Sequence, residues 1–133
     1  MNRIIGIGVD IVEISRVKRM LDQYGERFLS RVFTEAEAKY SLSVANAAER
    51  LAGRFAVKEA AIKALGTGKT SGISLRNIET VHDSTGKPVV RLSGSAARIL
   101  KSKGGGPVHA SISHDGGKAV AFVVMERQME DAR

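Results

Sequence analysis

The stretch that most restricts the fold is AERLAGRFAVKEAAIKAL, residues 48–65. At about 100° per residue, Leu51, Phe55, Ile62 and Leu65 share one helix face. Ala56, Ala60, Ala61 and Ala64 keep the other faces thin enough for close packing. A helix of this kind has to be covered on more than one side, so the rest of the chain must supply layers around it. The pattern predicts a helix from Ala45 or Ala47 to Leu65, broken by GTGKTSGIS. Gly53 is tolerated inside it at a cost of about 1 kcal/mol relative to alanine.

Before this helix, IIGIGVDIV (Ile4 to Val12) reads as a buried or mixed strand whose Gly6 and Gly8 permit close backbone approach. A second helix is expected from Glu13 to Tyr24, with Ile14, Val17 and Leu21 on one face and Gly25 as its stop. Thr34 and Glu37 have capping-box spacing and start a short helix from Glu35 to Tyr40. Beyond residue 72 the period changes. Leu75–His82 and Val89–Leu92 read as strands around DSTGKP, a turn that needs no function of its own, and Ser95–Lys103 as a short helix. Val108–His114 and Ala119–Met125 form a hairpin around DGGK, and a tail after residue 125 is expected to be flexible. The expectation is one α+β domain over residues 1–133, an antiparallel sheet packed by helices.

The 133 residues, 43% hydrophobic, are enough for one compact domain, with no repeat or internal boundary. Cysteine is absent, which excludes disulfides and thiolate metal sites and suits a reducing compartment. The N-terminal apolar run meets Asp10 too early for a signal peptide, and nothing later is long enough to span a membrane. A net charge of +7 favours an anionic partner: nucleic acid, a membrane surface, an acidic protein or a phosphorylated small molecule. The lack of Trp and the 5% aromatic content argue against a base-stacking platform.

Lys58, Glu59 and Lys63 are the anomaly, being charges in a helix meant for burial. One reading is structural: Glu59 and Lys63 form an exposed i,i+4 pair worth about 0.2–0.5 kcal/mol, and Lys58 snorkels. The other is phosphate chemistry, in which Glu59 binds a hard divalent cation with Asp10 while Lys58 and Lys63 neutralise phosphate oxygens. His114, at the end of ASISHD, can contact phosphate, move a proton or bond its own loop. His82 and His109 carry less information. Ser111 and Ser113 share one side of their strand without a triad order. The GTGK at Gly66–Lys69 follows a helix and lacks Walker A spacing, so its glycines cap the helix, admit a ligand, or both.

Together, GIGVDIVEISR, RFAVKEAAIKALGTG and VHASISHD, in this order over about residues 4–125, resemble the holo-acyl-carrier-protein synthase family, the small bacterial 4′-phosphopantetheinyl transferases. The resemblance implies a cytoplasmic enzyme of fatty acid biosynthesis. It would move 4′-phosphopantetheine from coenzyme A to a serine of apo-acyl carrier protein and release adenosine 3′,5′-bisphosphate. It implies Mg²⁺ at Asp10 and Glu59, and Glu59, Lys63 and His114 as catalytic residues. Lys58, Lys63, Gly66, Gly68 and His114 would line the coenzyme site. Arg16 is the best-matched carrier-protein contact, followed by Arg19, Arg27 and Arg31. A homotrimer with coenzyme sites between subunits is also implied. The competing expectation is a basic carrier-protein or nucleic-acid-binding module without transferase activity, or an oligomeric scaffold.

Overall fold

The computed structural model describes residues 3–68 and 72–129. In chain order the elements are β1 (Ile4–Glu13), α1 (Ile14–Tyr24), α2 (Glu26–Val32), α3 (Glu35–Ser43) and α4 (Ala47–Leu65). A 3-10 turn (Leu75–Asn77) then leads to β2 (Ile78–His82), β3 (Pro88–Leu92), α5 (Gly94–Ser102), β4 (Gly105–Asp115) and β5 (Lys118–Arg127). β1, β5 and β4 form an antiparallel sheet with β5 in the middle, and β2–β3 is a separate hairpin. The β4–β5 turn is Gly116–Gly117, with φ of 57° and 76°. Two positive values are the two-residue geometry that only glycine adopts freely, as DGGK predicts.

α4 is the axis of the molecule. Leu51, Ala52, Ala56, Val57, Ala60, Ala61 and Leu65 are buried on it, and the inner face of β5 (Ala119, Ala121, Val123, Met125) is fully covered. β1 crosses α4 at backbone distance: a Cβ on Gly6 would lie 1.9 Å from the Ala64 carbonyl oxygen, and one on Gly8 1.8 Å from that of Ala60. The small residues of the two segments are therefore one feature. The glycine face of β1 points to the core, and Ile7, Val9 and Ile11 point away, 48–61% exposed. Cross-strand partners extend this outer face, since Val9 opposes Phe122 and Phe122 opposes Ser111.

Several boundaries differ from expectation for identifiable reasons. α2 is unforeseen because Gly25 is both the stop of α1 and the start of a seven-residue helix whose Phe28 and Leu29 are buried. The capping box at Thr34 and Glu37 forms, and α3 runs three residues beyond Tyr40. The strand expected from Leu75 begins at Ile78. Lys58 takes the carbonyls of Leu75 and Ile78, and the Ser74–Asn77 capping box turns the backbone before the ladder starts. β5 does not end at Met125 but continues to Arg127, whose N–H bonds the Arg3 carbonyl at 2.6 Å. Residues 130–133 of the expected tail, and Lys69, lie outside the described residues.

Candidate active site

The last two turns of α4 and the middle of β1 form the first part of the site. Gly6, Gly8 and Asp10 alternate onto the α4 side of β1, and the glycine contacts hold the strand close enough for α4 to reach it. Lys63 Nζ donates to Asp10 Oδ1 at 3.1 Å and to the Val9 carbonyl at 3.0 Å. Glu59 lies one turn earlier on the same helix face. It does not pair with Lys63, and its half-buried carboxylate has no hydrogen-bond or ion-pair partner among the described residues. Gly66, at φ 74°, closes the helix by donating to the Ile62 and Lys63 carbonyls, and Gly68 follows at φ 71°. Lys103 donates to the Leu65 carbonyl beside Gly66, so two cations meet the negative end of the helix dipole.

Lys58 requires a correction. Expected against coenzyme, it is wholly buried, paired with Glu37 at 2.6 Å and bonded to the carbonyls of Leu75 and Ile78. All three ammonium hydrogens are committed, so none is left for a ligand. Burial pushes its pKa down, and Glu37 opposes that shift.

A second cluster lies at the other end of α4 and was largely invisible in the sequence. Arg50, Gly53 and Arg54 of α4, His82 and Pro88 of the β2–β3 hairpin, and His114 of β4 surround a cavity of about 210 Å³. His114 packs over Gly53, where an added Cβ would meet Nε2 at 3.2 Å, and its ring nitrogen lies 3.2 Å from the Glu49 carbonyl. Arg54 is 3% exposed, its Nη2 lies 3.1 Å from His82 Nδ1, and its guanidinium stacks 4.6 Å from the Tyr40 ring. Burial lowers its pKa, with Glu37 and Tyr40 acting in the opposite direction. The Nε atoms of Arg50 and Arg54 are buried without a hydrogen-bond partner. The DSTGK turn, ordered by Asp83 Oδ1 bonds to Thr85 and Lys87, also contributes Gly86 to the wall. Spacing alone could have shown that Arg50 and Arg54 share a face, but not that a strand end and a turn close over them.

His114 is thus apart from Glu59 and Lys63. Gly53, beneath it, precedes Lys63 by ten residues, about 15 Å along the axis. The remaining predicted residues lie elsewhere. Arg16 and Arg19 are exposed on α1, while Arg27 and Arg31 edge a mostly apolar groove of about 370 Å³ with Met20, Tyr24 and Phe28. His109 pairs with Glu126 at 2.5 Å on the sheet. No group of three His, Cys, Asp or Glu able to hold a metal ion occurs among the described residues, and no helix there is long and apolar enough to cross a membrane.

Residues 6–123 match the family model described as the 4′-phosphopantetheinyl transferase superfamily. A holo-[acyl-carrier-protein] synthase of Koribacter versatilis is 44% identical over 123 residues, 92% of this chain and 98% of the relative. The crystal structure of the Neisseria meningitidis holo-[acyl-carrier-protein] synthase superposes with a TM-score of 0.84 at 37% identity, covering 93% of this chain and 99% of that one. The Bacillus anthracis enzyme, in complex with CoA (3′,5′-ADP), gives a TM-score of 0.78 at 39% identity over 95% and 99% of the two chains.

Proposed function

The chain belongs to the 4′-phosphopantetheinyl transferase superfamily, and from that membership we propose that it transfers 4′-phosphopantetheine from coenzyme A to a serine of apo-acyl carrier protein. Adenosine 3′,5′-bisphosphate leaves. The observation that carries the reading is the contact of Asp10 with Lys63 beside the Glu59 carboxylate, which has no partner among the described residues. The serine oxygen forms a bond to the phosphorus attached to pantetheine as the anhydride bond on its far side breaks. Glu59 orients the hydroxyl and accepts its proton, and the Lys63 ammonium stabilises charge on the departing phosphate. Asp10 and Glu59 fit a hard cation, because Mg²⁺ needs only one or two carboxylates when phosphate and water complete its shell. Bound there, Mg²⁺ would supply electrostatic stabilisation of the diphosphate.

The arginine cavity suits the ribose 3′-phosphate, since buried N–H groups without partners are donors an anion can satisfy. His114 then serves as a coenzyme contact rather than a partner of Glu59. In coenzyme A a single ribose separates the 3′-phosphate from the diphosphate, whereas Gly53 and Lys63 are about 15 Å apart along one helix. A site shared by two copies resolves this mismatch, with the cavity of one beside the carboxylates of the next. The apolar outer face of β1 and β5 supports assembly, and we assign it to a homotrimer. Arg27 and Arg31 at the α1–α2 groove, with Arg16 exposed on α1 as the leading contact, suit an acidic helix of the carrier protein. The absence of cysteine agrees with a cytoplasmic setting, where the holo-carrier would feed fatty acid synthesis.

The test is an intact-mass assay with apo-acyl carrier protein, coenzyme A and Mg²⁺. One added phosphopantetheine, with release of adenosine 3′,5′-bisphosphate, is expected. Tight anion or carrier binding without that product would favour a binding module instead.

A further inference from the structure

The buried Glu37–Lys58 pair is a costly way to fill a core. Apolar residues of similar volume are often as good for stability, and a buried ion pair is better suited to fixing a geometry. Glu37 Oε1 accepts from Lys58 Nζ and from the Thr34 N–H, and Oε2 accepts from the Thr80 N–H at 3.0 Å. Lys58 adds its bonds to the Leu75 and Ile78 carbonyls. One contact thereby locks α3, α4 and β2 together.

Each of these elements, one repeat away from the pair, supplies a member of the Arg54 cluster. On α4, Arg54 is one turn before Lys58; on α3, Tyr40 is one turn after Glu37; on β2, His82 follows Thr80 on the same strand face. Those three meet as a second layer, with the guanidinium stacked on Tyr40 and bonded to His82. We infer that Glu37 and Lys58 are positioning residues for coenzyme binding: the pair sets the relative placement of α3, α4 and β2 that presents Arg54 to the nucleotide end of coenzyme A. Neither touches the ligand. Lys58 therefore belongs to the coenzyme site through geometry and not through its charge.

This inference rests on the proposed transferase reading, and the experiment separates the two. The double variant Glu37→Gln with Lys58→Met removes both charges together, so neither is left buried and alone. The expected result is a KM for coenzyme A raised roughly tenfold, with kcat and the KM for carrier protein within about twofold. A folded double variant with an unchanged KM for coenzyme A overturns the inference and leaves the transferase reading intact. Wild-type protein that neither transfers nor binds adenosine 3′,5′-bisphosphate overturns both. If the variant does not fold, amide exchange in the wild type decides. Coupling is reciprocal, so saturating adenosine 3′,5′-bisphosphate must slow exchange at Thr80 more than at Val123 of β5. Equal slowing at the two amides overturns the inference.

Discussion

Lys63 and Asp10, 53 residues apart in sequence, meet at 3.1 Å where the end of α4 crosses β1. The contact is half open to solvent, with the lysine side chain 57% exposed, so it adds at most about 1 kcal/mol to stability. Its value is placement, because it fixes a cation and a carboxylate beside Glu59.

Glu59→Gln is accordingly expected to reduce transfer by roughly 10²-fold or more while leaving the thermal midpoint almost unchanged, since no bond to a described residue is lost. Intact-mass kinetics over a Mg²⁺ titration measure this. Turnover and metal dependence equal to wild type would remove Glu59 from the chemistry.

Gly8→Ala should destabilise the fold by about 1–3 kcal/mol or more, because the new Cβ would sit 1.8 Å from the Ala60 carbonyl and neither backbone has room to retreat. Denaturant midpoints report it. Activity should fall further than stability, since a displaced β1 takes Asp10 away from Lys63.

These residues show what the sequence made legible. Gly6, Gly8 and the alanines of α4 announced close approach, and the Thr34–Glu37 spacing announced its cap. The inverted face of β1 did not show, because alternation says which residues share a side but not which side is the core. The Arg54 cavity was hidden for a related reason: its walls come from α4, a hairpin turn and a strand end, joined only in three dimensions. Lys58 stayed ambiguous because a lysine beside a candidate site glutamate looks the same in one dimension whether it faces ligand or core.

Arg16→Glu should weaken carrier-protein affinity by roughly tenfold at low salt, with less effect as salt rises, and should leave binding of free coenzyme A unchanged. Titrations of each ligand separate the two effects. Equal carrier affinity would move the docking surface elsewhere.

Partial burial and the neighbouring Arg54 and Arg50 hold the His82 imidazole below its ordinary pKa of about 6.5. The unfolded chain then takes up a proton before the folded one does, so stability falls as pH drops below about 6.5. His82→Gln should flatten that decline. A phosphate in the cavity favours the charged imidazole, so adenosine 3′,5′-bisphosphate should draw a proton onto His82 as it binds, against any proton its own phosphates release. Calorimetry in buffers of different protonation enthalpy should show less uptake for the variant.

Phe122→Glu places a charge on the outer sheet face, where Phe122 is 45% exposed in a single copy. Each copy should still fold, while sedimentation should show a smaller species than the proposed trimer and transfer should fall with it. A trimeric, active variant would reject the assigned assembly face.

β5 has a further consequence for how the molecule comes into being. It is the last strand in chain order, yet it is the only strand that pairs with both β1 and β4 within the described sheet. During synthesis β1 emerges long before β5 and waits for a partner more than a hundred residues away, with its exposed-face isoleucines uncovered. Such distant pairing slows folding, and the interval leaves an apolar strand open to aggregation. A nascent chain arrested before Lys118 should therefore have no three-stranded sheet at all, and would depend on chaperones until the final hairpin arrives.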